Sequence, residues 1–184
     1  MAPVRKIEWL SVEDYLAGEQ AAKARHQYID GAICAMESAT ARHNRIAVRL
    51  ASRLESHLAG SPCQTFISDM KVRAADAFYY PDVVVARQPV APEAVYLTEP
   101  VLIVEVLSES TEARDRLEKW IAYRTLPSLR EYVLIAQDRS AVEVYRRSEE
   151  GWDQISLGAG ETVELASISF DVSLDELYAG SAAV

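Results

Sequence analysis

The chain has 184 residues, 49% of them apolar and 26% charged, the composition of a soluble globular protein and the length of one domain that buries its core without metal or disulfide staples. Its 19 basic and 28 acidic residues leave a net charge of −9, which works against indiscriminate adhesion to nucleic acid or anionic membrane but leaves room for a local basic face. Cys34 and Cys63 make neither a ligand spacing nor a disulfide framework and suit a cytoplasmic setting, Met1 to Leu10 lacks a signal-peptide core, and no apolar run is long enough to span a bilayer.

Ser11, with Asp14 three residues on, resembles a capping box and predicts a short helix to about Ala24. Tyr28-Ile29 and Ala32-Ile33 flank Asp30-Gly31, a hairpin signal. A long helix is predicted from about Thr40 to Leu58, because Ala47, Leu50, Ala51, Leu54 and Leu58 follow helical spacing before Gly60-Ser61-Pro62 ends it. Strands follow at Phe66 to Arg73, Tyr79 to Arg87 and Val101 to Leu107. The runs Val83-Val84-Val85 and Val101-Leu102-Ile103-Val104 are nearly unbroken, as in strands covered on both faces. A loop with Pro89, Pro92 and Pro100 lies between them. A second helix is predicted from Thr111 to Thr125, then strands Glu131 to Ala136 and Val142 to Arg147 around a tight turn at Asp138 to Ser140. Trp152 to Leu157 adds a strand, and Ser173 opens a short final helix. The expected fold is α/β, a mixed β-sheet flanked by helices, one domain over 1–184 with its core at about 8–178.

Asp82 and Glu105 each interrupt an apolar strand. A carboxylate there is costly unless it is paired or binds a cation. Two adjacent strand ends can bring the two together, and a shared Mg²⁺ or Mn²⁺ would relieve their repulsion. Pairing of each with an Arg or Lys, or exposure of one, fits the spacing equally well. Arg42, Arg45, Arg49 and Arg53 form one stripe of the long helix, suited either to nucleic-acid phosphates or to a solvated face paired with Glu37, Glu55 or a partner subunit. Asp115, Lys119 and Tyr123 form a stripe of the second helix, away from Leu117, Trp120 and Ile121, where Asp115 and Lys119 read as a surface pair. His43 lies on the apolar side of its helix, the usual place of a core histidine. Trp9, Trp120 and Trp152 read as core or interface. Ser108 and Ser110 read as turn and cap residues. Zinc-ligand spacing and a Gly-rich phosphate loop are both absent.

Taken together, Tyr79-Tyr80-Pro81-Asp82-Val83-Val84-Val85, Val104-Glu105-Val106-Leu107-Ser108, Asp115 with Lys119, and Pro127-Ser128-Leu129-Arg130-Glu131-Tyr132 resemble the Uma-type endonuclease family of bacteria, part of the PD-(D/E)XK nuclease-like superfamily. His26-Gln27-Tyr28-Ile29-Asp30-Gly31 and His43 match the same pattern, and the resemblance covers roughly residues 8 to 178. It implies a restriction-endonuclease-like fold and Mg²⁺- or Mn²⁺-dependent hydrolysis of phosphodiester bonds in DNA. Asp82 and Glu105 would be the motif's two acids, and the Val106 carbonyl a further metal ligand. The superfamily's usual lysine, two residues after the Glu, is here Leu107, and Lys119 matches the family's alternative on the following helix. His43 would lie near the site, the four arginines would contact DNA, and two cuts in a duplex would call for a homodimer. Gln27 stands where the family commonly has Glu; its amide can coordinate a metal or hold a metal-bound water without adding charge. Two readings follow: an active endonuclease, or a catalytically inactive nuclease fold serving as a nucleic-acid-binding or protein-interaction module. The endonuclease is the leading reading, while Gln27, Leu107 and the acidic net charge speak for the second.

Overall fold

A computed structural model describes residues 9–36 and 38–180. Glu37, a suggested partner of the arginine stripe, and most of the N-terminal stretch read for a signal peptide lie outside the described residues. Helix α1 (Val12–Ala21) starts where Ser11 Oγ accepts the Asp14 N–H at 3.1 Å. Strands β1 (His26–Ile29) and β2 (Ala32–Ala35) form the hairpin, with Asp30 and Gly31 both at positive φ, 46° and 83°, as a type I′ turn requires. Gly31 has a second reason to lack a side chain, since a Cβ there would run into the Trp9 ring. Helix α2 (Ala41–Leu58) is capped by Thr40, whose Oγ1 accepts the His43 N–H at 3.1 Å.

The two strands expected at Phe66 to Arg73 and Tyr79 to Arg87 are each broken into two, in different sheets. The first becomes β3 (Gln64–Ile67) and β4 (Lys71–Ala74), separated by a turn with Ser68 at φ 22°. The second becomes β5 (Ala77–Tyr79) and β6 (Val83–Ala86). Pro81 between them cannot donate to a ladder, so the chain leaves one sheet there and enters the other. A short β7 (Tyr96–Leu97) lies inside the proline loop, and Pro100 opens β8 (Pro100–Leu107) rather than belonging to the loop. After β8 comes a single helical stretch, α in α3 (Glu112–Arg114), widened to a π turn over Asp115–Lys119, and α again in α4 (Trp120–Tyr123). Strands β9 (Glu131–Ala136), β10 (Ala141–Arg147) and β11 (Trp152–Gly158) follow as anticipated. An unanticipated hairpin, β12 (Thr162–Leu165) and β13 (Phe170–Ser173), precedes α5 (Leu174–Tyr178), which Ser173 and Glu176 open with a reciprocal capping box.

The one expected mixed sheet is therefore three. A six-stranded sheet has the order β11-β10-β9-β8-β6-β3, a five-stranded sheet β2-β1-β5-β4-β7, and β12-β13 stand as a pair. In the large sheet β8 and β9 run parallel and the other neighbours antiparallel; the α3–α4 stretch is the crossover the parallel pair needs. Both faces of this sheet are covered. Val83, Val85, Leu102 and Val104 pack with Ile46, Leu50 and Leu54 of α2, while Val84, Ile103 and Leu134 pack with Tyr123 and Leu126. That double cover is why these strands read as unbroken apolar runs, each fully buried aliphatic side chain contributing about 1.5–3 kcal/mol. Trp120 stacks on Tyr132 with centroids 5.8 Å apart and touches Tyr145 and Trp152. Trp9, expected in a core or interface, is 71% exposed and lies over Gly31, outside the core.

Candidate active site

Strands β6 and β8 pair with Val83 opposite Val104. Continuing that antiparallel register by one residue sets Asp82 opposite Glu105, at the point where the Tyr80-Pro81-Asp82 segment crosses between sheets. Asp82 is held from two sides: Oδ2 accepts the Val106 N–H at 2.7 Å and Oδ1 lies 2.8 Å from His43 Nε2. His43 thus leaves the apolar side of α2 for a specific polar partner near the site. Strand alternation turns Glu105 to the same face as Ile103 and Leu107, toward α3–α4, and it is 3% exposed. Lys119 Nζ lies 2.9 Å from Glu105 Oε1 and 2.8 Å from Asp115 Oδ1, and the Tyr123 hydroxyl donates to Glu105 Oε1 at 3.3 Å. The Tyr132 hydroxyl donates to the Asp115 backbone carbonyl at 3.0 Å.

The stripe Asp115, Lys119, Tyr123 therefore faces inward, and the surface pair expected for Asp115 and Lys119 is buried, at 1% and 4% exposure. Leu117 and Ile121 are the exposed residues, at 65% and 47%. The need of buried Glu105 for a counter-cation outweighs the burial of two apolar side chains. The π turn makes the alignment possible. In a straight α-helix residues 115, 119 and 123 drift about 80° around the axis; the wider turn takes up drift within one stretch, a distortion that recurs at functional sites.

Burial drives the Glu105 carboxyl well above its ordinary pKa; the charges of Asp115 and Asp82 push the same way and Lys119 opposes them. Burial pulls Lys119 down, but Glu105 and Asp115 together hold it above its ordinary value. Burial also raises Tyr123 well above its ordinary value, so its hydroxyl stays protonated as a donor.

His43, Asp82, Glu105, Asp115 and Lys119 line a cleft of about 610 Å³, walled also by Gln27 of β1 and by Ser108 to Thr111. Gln27 is 7% exposed, and its Oε1 has no hydrogen-bond partner among the described residues; the same is true of His43 Nδ1. Among the described residues no three His, Cys, Asp or Glu side chains converge as a ready-made metal cluster. Asp82, Glu105 and the unpartnered Gln27 amide oxygen nonetheless line one cleft, a donor set that fits a hard cation, since Mg²⁺ keeps several waters and takes one or two carboxylates. Each oxygen of Asp82 retains lone-pair capacity beyond its single contact.

Leu107 is 4% exposed in the apolar core and has no part in the cleft. Ser108 Oγ hydrogen-bonds Thr111 Oγ1 at 2.9 Å, a turn-and-cap role. On α2, Arg49 donates to the Glu176 carbonyl at 3.2 Å and Arg53 lies 3.3 Å from Glu176 Oε1. Arg45 is exposed, and Arg42 lines a depression with Thr40, Ser108 and Glu109 next to the cleft. Reading the sequence left out Tyr123 as a partner of Glu105. Its position eight residues after Asp115 on one stripe was the available signal.

The model of a family named Uma2 and described as "Putative restriction endonuclease" matches residues 12–175. An uncharacterized protein of Synechocystis sp. is 36% identical over 185 residues, covering 98% of this chain and 97% of that one. A second from the same organism is 33% identical over 171 residues, covering 90% and 96%. Among solved structures, one described as "a putative nuclease belonging to DUF820" from Anabaena variabilis superposes with a TM-score of 0.74 over 87% of this chain and 93% of that chain, at 18% identity. At that identity the likeness speaks for the fold.

Proposed function

The chain belongs to the Uma2 family of restriction-endonuclease-like proteins, and from that premise we propose that it is a divalent-metal-dependent endonuclease cutting phosphodiester bonds of DNA in the cleft between Asp82 and Glu105. The observation that carries the reading is the cross-strand placement of these two carboxylates with Lys119 at 2.9 Å from one of them. Asp82, Glu105, the Val106 carbonyl and Gln27 Oε1 are the groups that would hold Mg²⁺ or Mn²⁺, which when bound acidifies a water and neutralises charge on the phosphate. His43 and the Val106 N–H fix the Asp82 carboxylate before any ligand arrives, and such support keeps a site within productive geometry. Lys119 has three donors and its ammonium is ion-paired with Glu105 and Asp115; a donor turned to the cleft orients the attacking water or stabilises charge developing on the phosphate. No side chain forms a covalent intermediate.

In the same reading Arg42, Arg45, Arg49 and Arg53 contact flanking phosphates, with Arg42 nearest the cleft, and a homodimer in the cytoplasm provides the second cut. Loss of one phosphate contact in Arg45→Ala or Arg49→Ala should lower the salt slope of DNA binding by about one; an unchanged slope assigns the stripe to structure, as the Arg49 bond to Glu176 already suggests, or to a subunit interface.

One observation favours the second reading, a catalytically inactive module: Lys119 already neutralises Glu105, and Gln27 brings no charge. Calorimetry with Mn²⁺ and a plasmid-nicking assay separate the two. The wild type should bind Mn²⁺ and nick, and Asp82→Asn should lose at least about tenfold in affinity, roughly 1.4 kcal/mol, together with nicking. Metal binding without nicking supports the module. A wild type that binds no metal overturns the metal-dependent mechanism.

A further inference from the structure

We infer that Arg114 is a phosphate-binding residue of this cleft, its guanidinium docking the nucleic-acid substrate on the wall opposite the two carboxylates; the inference rests on the nuclease reading above. The cleft wall is acidic. Asp82, Glu105 and Asp115 all line it and repel a phosphodiester, so a bound strand needs cations that are not already consumed inside the protein. Three basic side chains line the same cleft, Arg25, Arg114 and Lys119. Lys119 is shared between Glu105 and Asp115 at 2.9 and 2.8 Å, and Arg25 is paired with Asp69 at 2.6 Å. Among the described residues Arg114 is the one of the three without a carboxylate partner. Its one hydrogen bond among the described residues runs from Nη2 to Cys34 Sγ at 3.6 Å, and a thiol is a weak acceptor.

That contact also fixes where the guanidinium lies. Cys34 is the cross-strand partner of Gln27, so Arg114 reaches from α3 across the cleft to the β1–β2 hairpin, beside the amide whose Oε1 has no partner. Arg114 is half-buried, and among the described residues its planar fork of five N–H donors meets only the Cys34 thiol. A phosphate offers the bidentate acceptor pair such a fork takes. Arg114 acts here by binding and orienting the strand and is not itself a metal ligand.

The test is fluorescence anisotropy of a fluorescein-labelled duplex oligonucleotide, with Ca²⁺ as the cation, at several KCl concentrations. Wild type, Arg114→Met and Arg114→Lys are compared, and Mn²⁺ calorimetry is run on each. Arg114→Met should reduce the slope of log affinity against log salt by about 0.9, the signature of one lost phosphate contact, and Mn²⁺ affinity should stay at the wild-type value. Arg114→Lys should keep the slope and lose several-fold in affinity, because a point charge cannot replace the fork. An unchanged slope in Arg114→Met, beside a wild type that binds DNA, overturns this inference alone. So does a Lys variant as tight as wild type, or a slope change accompanied by an equal loss of Mn²⁺ affinity. A wild type that does not bind DNA overturns the nuclease reading and this inference with it. If Arg114→Met does not fold, Arg114→Gln is judged by the same slope.

Discussion

Two buried glutamates sit on neighbouring parallel strands, Glu105 on β8 opposite Leu134 and Glu131 on β9 opposite Leu102. Glu131 is 0% exposed and saturated: Arg146 Nε lies 2.8 Å from Oε1, and the backbone N–H groups of Ala166 and Ser167 donate at 3.1 and 2.9 Å. It ties the large sheet to the turn between β12 and β13. Glu105 is almost as buried, yet both its contacts, Lys119 and Tyr123, converge on Oε1, and two further carboxylates raise its pKa beyond what burial does. The sequence makes the two look alike, a single Glu at a β-rich run. The difference lies in what faces them. A carboxylate met by backbone donors and an arginine fastens the fold; one met by a lysine and other carboxylates, with an oxygen left to a cleft, is available to a ligand.

The strongest way to break this contrast is to remove each charge. Glu131→Ala leaves Arg146 and two N–H groups without their acceptor and should cost about 3–5 kcal/mol. Glu105→Gln should change stability by only about 1 kcal/mol, because Lys119 keeps Asp115 and an expensive buried charge disappears. Urea unfolding without metal at neutral pH measures both, and equal losses would erase the distinction.

A second experiment sharpens the available side. Gln27→Glu adds a carboxylate to the cleft beside Asp82 and Glu105. At about 4 Å and an effective dielectric near 20, its attraction for a cation is on the order of 4 kcal/mol before desolvation and repulsion from Asp82 and Glu105. The net should be about ten- to a hundredfold tighter Mn²⁺ binding, roughly 1.4–2.8 kcal/mol, read by calorimetry. Unchanged affinity would mean that residue 27 does not face the metal.

The smallest effect belongs to an intermediate case, half-exposed Glu143, which Arg116 grips with two bonds of 2.8 and 2.6 Å. Hydrogen bonds from Arg116 hold its carboxyl below the usual range. Its folded pKa is therefore lower than its unfolded one, about 4.3. The stability it contributes is present above the unfolded value and is lost as pH falls through the folded one. Solvent screening limits this to about 1 kcal/mol. Urea unfolding of wild type and Glu143→Gln from about pH 7 down to about pH 3 should show a gap that closes on acidification. A gap that widens would contradict the assignment.

How much of this was legible follows from which forces leave a local trace. Apolar runs such as Val83-Val84-Val85 announce buried strands because burial acts residue by residue. The switch of sheets within Tyr79 to Arg87 left one mark, Pro81, inside an otherwise continuous apolar pattern. The Asp115, Lys119, Tyr123 stripe was visible, but its direction was not, because helical periodicity assumes 3.6 residues per turn and the helix does not keep it. The bond from His43 to Asp82 joins residues 39 apart, which no local pattern encodes. Gln27 is ordinary by composition and stood out only through the family resemblance.

The π turn has a consequence for insertions and deletions. Leu117, 65% exposed, accepts substitution freely, whereas Arg116 is bonded to Glu112 and Glu143 and Glu118 accepts the Tyr79 hydroxyl. The length of the turn has no freedom of its own. A π turn houses one residue more than an α turn, so removing one residue from between Asp115 and Lys119 would let the stretch close into continuous α hydrogen bonding with its two ends nearly in phase. The change would fall on the pair itself: Asp115 and Lys119 would stand three residues apart instead of four, and the ammonium that both Glu105 and Asp115 share would be re-aimed. Such a deletion should give a more regular helix around an altered site, so at this turn the count of residues is specified along with the identity of Asp115 and Lys119.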